Sequence, residues 1–277
     1  MPAGAIEEVQ FFAEPDKPEG ESHRIATGMA VVRSIRCPGK QTANEDAAAI
    51  LCCDARRGVL AVADGFGGQP AGDQASQLAL AALAEAVEEA LSVGGILRAG
   101  ILNGFEKANQ EVSALGVGAA TTLAVAEIED GSVRPYHVGD SVILVVGQRG
   151  KIKLQTVPHS PVGYAVEAGW LEEAEAMHHE ERHLVSNMVG SAEMRIEIGS
   201  ALQLRPRDTL LLASDGLFDN LHIDEIVQYT RKGPLGSVSK LLANECDARM
   251  RTPREGLPCK PDDLTFIVFR LQDSARQ

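Results

Sequence analysis

The sequence predicts an α+β chain in which antiparallel sheets are covered by helices within one domain. Three observations carry this. Short apolar runs of strand length stop abruptly at Asp-Gly dipeptides, at Asp64-Gly65 and near Asp215-Gly216. Two longer stretches repeat apolar residues at helical spacing. Between residues 121 and 154, strand and hairpin signals follow one another closely, which implies antiparallel pairing and disfavours a doubly wound parallel sheet.

Taken in order, residues 13–22 (AEPDKPEGES) are polar, acidic and contain Pro and Gly. Residues 1–24 are therefore expected to form a flexible N-terminal extension, followed by a folded domain over 25–273. The first stretch has no apolar h-region, so it is not a secretory signal. Ala47 to Leu51 is an apolar run preceded by Asn44-Glu45-Asp46. Val59 to Ala63 reads as a buried strand ending in the sharp turn Asp64-Gly65-Phe66-Gly67-Gly68. Ala75, Leu78, Ala79, Ala82, Leu83, Ala86, Val87, Ala90 and Leu91 then outline an amphipathic helix, and Leu97 to Leu115 a second. Thr121 to Ile128 is β-prone, Asp130-Gly131 signals a hairpin, and Val133 to Val138 is the return strand. Strands at Val142 to Val146 and Lys151 to Leu154 flank a turn at Gly147 to Gly150. Residues 158–200 mix helical and loop character. Thr209 to Ala213 is a further strand stopped by Ser214-Asp215-Gly216. Helices are expected near 222–230 and 236–250, a Pro/Arg-containing loop over 251–261, and a last strand from Leu264 to Leu271.

The hydrophobic fraction of 44% over 277 residues is enough for a sizeable core. A formal net charge of −13 argues against nucleic acid as a partner, because phosphate backbones select basic surfaces. No run approaches the roughly 18 apolar residues of a membrane span. The five cysteines form no CxxC pair, so neither a disulfide framework nor a zinc ribbon is indicated. Free thiols fit a cytoplasmic location. The sequence carries no signal for an oligomeric state.

The chemistry lies in the acidic residues. Asp64 and Asp215 each follow a buried strand directly, Asp140 sits in Gly139-Asp140-Ser141 between two strands, and Asp262-Asp263 opens the last strand. Singly, each is an ordinary turn, and Glu45-Asp46 is a pair of surface charges. Together they suit Mg²⁺ or Mn²⁺, hard ions that take oxygen ligands, because strand ends hold carboxylates rigidly on one rim. Two such ions lower the pKa of a shared water and offset phosphoryl charge.

The set Asn44-Glu45-Asp46-Ala47, Val62 to Gly68, Gly72 with Ala75-Ser76, Ala120-Thr121-Thr122, Val138 to Ser141, Ser214 to Asp219 and Asp262 to Thr265 resembles the metal-dependent serine/threonine protein phosphatases of the 2C type. The motifs stand in that family's order across residues 28 to 271. The resemblance implies a four-layer α-β-β-α sandwich of two antiparallel sheets flanked by helices. It implies hydrolysis of phosphoserine and phosphothreonine in proteins by a metal-bridging hydroxide, with two Mn²⁺ or Mg²⁺ ions per subunit and a third, weaker site. It further implies that Asp64 bridges the metals, that Gly65 ligates through its carbonyl, and that Asp215 and Asp262 are direct ligands. Glu45 and Asp46 would hold metal-bound waters, and Asp140 and Asp219 match the third site. The partner implied is a phosphoprotein, the target of a Ser/Thr kinase.

Three positions depart from the family. Gln41 stands where an arginine usually grips the substrate phosphate; Lys40 is the neighbouring cation, with Arg33 and Arg36 as further candidates. Phe66 replaces a histidine that some members carry, and Val142 a frequent arginine. Two alternatives follow from particular residues. The Gln41 departure suits a catalytically weak phosphatase-like module that binds metal or phosphopeptide. His179-Glu180-Glu181-Arg182-His183 satisfies H-E-x-x-H, the signature of a zinc metalloprotease if it lies on an α-helix, although the motif is embedded in charge.

Overall fold

The computed structural model of the chain describes residues 6–13, 16, 19–66, 71–116 and 118–272. Two antiparallel sheets lie face to face between two layers of helices. The first sheet contains β1 (Glu8–Phe12), β4 (Asp46–Cys52), β5 (Arg57–Asp64), β6 (Leu123–Glu129), β7 (Ser132–Val138) and β10 (Glu197–Ile198) in that spatial order, with β11 (Leu202–Gln203) also paired to β7. The second runs β2 (Glu21–Ile25), β3 (Gly28–Ile35), β13 (Leu264–Leu271), β12 (Thr209–Ala213), β8 (Val142–Val146) and β9 (Ile152–Gln155). Helices α1 (Gly72–Ser92) and α2 (Leu97–Ala114) cover the first sheet. The second is covered by α6 (Ile223–Thr230) and α7 (Leu235–Arg251), with the short α5 (Asp215–Phe218) at its rim. Two short helices, α3 (Pro161–Glu167) and α4 (Glu173–Ala176), and a 3₁₀ turn (Glu180–His183) make up a segment beyond β9.

The uninterrupted apolar strands are explained by burial on both faces. In β4, Ala47, Ala49 and Leu51 face the α1–α2 core, whereas Ala48 and Ile50 face the opposing sheet. In β12, Leu210 and Leu212 point between the sheets, and Leu211 and Ala213 toward α7. Strand alternation is present, but both phases are apolar because both sides are dry. The hairpin signal at Asp130-Gly131 is realised with both residues at positive φ, 52° and 75°, the backbone that joins β6 to β7 with a two-residue turn.

The expected flexible extension over 1–24 is corrected by the structure. β1 pairs with β4 and β2 pairs with β3, each as an edge strand, so the domain begins well before residue 25. Edge strands alternate polar with apolar residues, and the polar phase dominates this composition; the anchors are single residues, Phe12 and Ile25, both buried between the sheets. The short strands β10 and β11 went unforeseen because two-residue bridges carry no periodicity.

The H-E-x-x-H motif does not form a zinc site. Glu180–His183 is a 3₁₀ turn, and His179 caps it by accepting from the Glu181 amide at 3.2 Å. Three residues per turn rotates residues i and i+4 well apart, so the two imidazoles do not share a face. Both are exposed.

If β1 is an integral strand, Phe12→Ala removes its anchor from the inter-sheet core and is expected to lower unfolding free energy by about 3 kcal/mol in urea denaturation. An unchanged midpoint would return residues 1–24 to the status of an extension.

Candidate metal centre

The acidic rim is built from the ends of both sheets. Asp46 opens β4 and Asp64 closes β5, and the two are direct register partners, so their carboxylates start from adjacent positions. Asp46 is buried, and its Oδ2 accepts from Ser214 Oγ at 2.7 Å. This bond ties the first sheet to the second at the residue before Asp215. The Asp64 carbonyl accepts from the Thr122 amide at 2.8 Å and from Thr121 Oγ1 at 2.9 Å, while its amide donates to Thr122 Oγ1 at 2.9 Å. Thr122 Oγ1 also meets Ser141 Oγ at 2.7 Å, next to Asp140. Gly65 is required by space: a Cβ there would lie 2.0 Å from the Gly72 carbonyl oxygen. Residues 67–70, including Gly67 and Gly68 of the predicted turn, lie outside the described residues.

Asp215, Asp219 and Asp262 converge on one ammonium. Lys260 Nζ lies 3.0 Å from Asp219 and 3.2 Å from Asp262, and it is hydrogen-bonded to Asp215 Oδ2. Asp219 Oδ2 is buried and accepts no hydrogen bond of good geometry, even with this lysine beside it. Its charge is met by the ammonium at 3.0 Å, so this corner of the cluster is one that takes a cation.

The electrostatics agree. Burial, reinforced by Asp46, Asp215, Asp140 and Asp262, holds the Asp64 carboxyl well above its ordinary range. Burial and Asp263 do the same for Asp46. Burial followed by Asp215 pushes Asp140 up to about 7 and Asp262 up to about 6, and raises Asp219. These aspartates therefore feel one another as a single cluster. Divalent ions relieve both causes at once, by supplying charge and by replacing lost hydration.

Glu45 and Lys40 stand at the edge of the rim. Asp263 accepts from the Cys37 amide at 2.8 Å and the Glu45 amide at 2.7 Å, and Lys40 Nζ lies 2.6 Å from both Glu45 Oε2 and Asp263 Oδ2. Lys40 thus spends its charge on two carboxylates, so the expectation that it grips phosphate is revised: it fastens the Glu45 loop to β13. Arg33 turns to Ser239 at 2.6 Å on α7, and the Arg36 guanidinium pairs with Asp16 at 3.8 Å and donates to the Thr42 carbonyl, so neither replaces it. Gln41 is exposed and donates to the Gly39 carbonyl.

A cavity of about 640 Å³ opens on this rim, bordered by Asp140, Asp215 and Asp219 on one side and by Met177 and Arg182 of the segment beyond β9 on the other. Arg182 donates to the Met177 and Cys259 carbonyls, and among the described residues no carboxylate lies within ion-pair distance of it.

The sequence model of the family described as "Protein phosphatase 2C" matches residues 36–243. The chain belongs to that family. Among its relatives, protein phosphatase PhpP of Streptococcus pneumoniae is 33% identical over 195 residues, 68% of this chain and 78% of the relative. The putative protein phosphatase 2C-type of Streptococcus pyogenes is 32% identical over 183 residues, 63% of this chain and 74% of the relative. Among solved structures, the serine/threonine phosphatase PstP/Ppp of Mycobacterium tuberculosis superposes with a TM-score of 0.72 at 27% identity, covering 88% of this chain and 98% of that one. The catalytic domain of PstP in complex with two manganese ions gives a TM-score of 0.67 at 25% identity over the same shares. The four-layer sandwich is this family's fold, and metal dependence on Mn²⁺ or Mg²⁺ is its chemistry.

Within the described residues, one other cluster has metal-ligand types: His137, His159 and Glu197. Its protons are already assigned. His159 Nδ1 accepts from the Gly139 amide at 3.1 Å and from Asn187 Nδ2 at 2.9 Å, so its proton sits on Nε2, facing Glu197 at 3.2 Å. His137 Nε2 donates to the Val157 carbonyl. The cluster is a hydrogen-bonded brace: His159 also donates its own amide to the Gly139 carbonyl at 3.0 Å, clasping the residue before Asp140.

The raised carboxyls set the sign of a pH effect. An unfolded aspartate titrates near ~3.9, whereas folded, metal-free Asp262 and Asp140 titrate at about 6 and about 7. The folded state thus retains protons that the unfolded chain has released, and their contribution to stability is lost as pH rises through this window. With chelator present, the melting temperature is expected to fall from about pH 4 to about pH 7.5, and Mn²⁺ stabilisation to grow over the same interval. A chelated protein whose melting temperature rises steadily with pH would contradict the clustering.

Proposed function

We propose that the chain hydrolyses phosphoserine and phosphothreonine in proteins using two Mn²⁺ or Mg²⁺ ions held by Asp64, the Gly65 carbonyl, Asp215 and Asp262. The observation that carries this reading is the convergence of aspartates from both sheets on one rim beside an open cleft. When bound, the ions supply Lewis-acid activation of water and neutralise the phosphoryl group. The remaining roles belong to the chain. Asp46 is locked by Ser214 so that it presents an oxygen to metal-held water, and Glu45 is aligned for the same task by Lys40. His159 holds Gly139, and through it Asp140, at the rim.

Arg182 is the cleft cation that receives the anionic substrate in place of the arginine missing at Gln41. Its guanidinium is oriented by two carbonyls, and among the described residues no carboxylate lies within ion-pair distance of it. The substrate is a phosphoprotein, and a Ser/Thr kinase sharing that target is the natural partner. A reducing, cytoplasmic setting accords with the free cysteines. No helix among the described residues is long and apolar enough to cross a membrane. The weak-module alternative would hold the same ions without turnover, and the assay below separates the two.

Hydrolysis of p-nitrophenyl phosphate and of a phosphothreonine peptide is expected to require Mn²⁺ and to be abolished by chelator. Asp64→Asn is expected to lower kcat by at least about 10²-fold; wild-type turnover in that variant would remove Asp64 from the centre. A paired comparison separates the two cations. Arg182→Gln is expected to raise KM for the phosphopeptide about tenfold, the scale of one lost charge-assisted hydrogen bond. Lys40→Met is expected to cost about 3 kcal/mol of stability with little change in KM. The reverse pattern would restore Lys40 as the phosphate contact.

A further inference from the structure

Lys260 has no place in the catalytic scheme, yet its ammonium sits amid the carboxylates. Nζ is within 3.2 Å of Asp215, Asp219 and Asp262 together. Its backbone is seated on purpose-built contacts: the fully buried Asn220 donates to the Lys260 carbonyl at 2.8 Å and accepts from its amide at 2.9 Å. Asn220 is in turn held by Arg249, which donates to its carbonyl at 2.7 Å and pairs with Glu225. Pro261 follows, which favours an extended backbone at Lys260 and puts its side chain on the same side as that of Asp262. The lysine is thus aimed into the cluster by chain geometry rather than resting there by chance.

We infer that Lys260 is a tethered cation that takes the place of a third divalent ion at the Asp140–Asp219 end of the cluster, so that this chain binds two ions and not three. The inference rests on the two-metal reading above. Two features support it. The ammonium contacts Asp219, which the two-ion centre does not use, as well as Asp215 and Asp262, which it does. Asp140 borders the same cleft as Asp215 and Asp219, so the ammonium stands at the end of the cluster where a third ion would sit. With Asp215 and Asp262 holding the ions, the ammonium would keep its contact with Asp219. A lysine is permanently present at unit effective stoichiometry, so activity becomes independent of the concentration needed to fill a weak site.

The test is the number of Mn²⁺ ions bound per full-length chain at saturation, measured by equilibrium dialysis with elemental analysis. Wild type and Lys260→Arg are expected to hold two. Lys260→Met is expected to hold three, and adding Asp219→Asn to it to restore two. If Lys260→Met folds poorly without metal, Lys260→Gln prepared in Mn²⁺ serves the same comparison. Two ions in both neutral variants, or three in wild type, overturns the inference and leaves the metal centre standing. No Mn²⁺ bound by either wild type or variant overturns the metal centre and the inference together. A second readout separates a merely structural lysine: the Mn²⁺-induced rise in melting temperature is expected to be larger in Lys260→Met than in wild type, and an equal rise counts against the proposal.

Discussion

Bringing Asp46, Asp64, Asp140, Asp215, Asp219 and Asp262 to one rim sets like charges against one another in a partly dry environment. Two unit charges about 4 Å apart repel by roughly 4 kcal/mol at an effective dielectric constant of about 20. A domain's whole stability is only about 5–15 kcal/mol. A few fully ionised pairs would therefore consume it. The raised carboxyl groups and the ammonium of Lys260 are two consequences of this one constraint. In the metal-free chain, protons and a lysine supply the missing positive charge. In the metal-loaded enzyme, divalent ions would take over from the protons while the lysine keeps its place beside Asp219.

The sandwich exists, in functional terms, to hold that repulsion in place. Every carboxylate in the cluster is anchored through its backbone or an adjacent residue to something rigid. The Asp46–Asp64 register is locked by β4–β5 pairing, and Ser214 joins it across the sheets to the start of α5. Asp263 gathers two amides and Lys40, which keeps the Glu45 loop against β13. The His159–Gly139 clasp and the Asn220–Lys260 clasp do the same for the far end of the rim. These supports are ordinary hydrogen bonds, each worth about 1 kcal/mol net. Their value lies in leaving the acidic side chains no alternative direction.

Much of this was legible in the sequence, because the strands that carry the aspartates are doubly buried and read as unbroken apolar runs. Asp64 and Asp215 announce themselves by terminating such runs, and the β6–β7 hairpin by Asp130-Gly131. What escaped notice lacks any such contrast. β1 and β2 are edge strands whose polar phase hides Phe12 and Ile25. His179 and His183 satisfy a zinc pattern only if the backbone is α-helical, and it is not. Lys40 stands next to Gln41 in sequence, but its direction is decided by Asp263, more than two hundred residues away. Lys260 lay in a stretch read as loop. Its position two residues before Asp262, across a proline, was the available signal, and nothing local says that the ammonium meets Asp215 and Asp219.

The most direct measurement is the manganese anomalous signal in crystals grown with Mn²⁺. Two ion peaks are expected among Asp64, the Gly65 carbonyl, Asp215 and Asp262, with Lys260 Nζ still in contact with Asp219. The absence of any ion at that rim, or ions held instead by His137, His159 and Glu197, would contradict the aspartate metal centre.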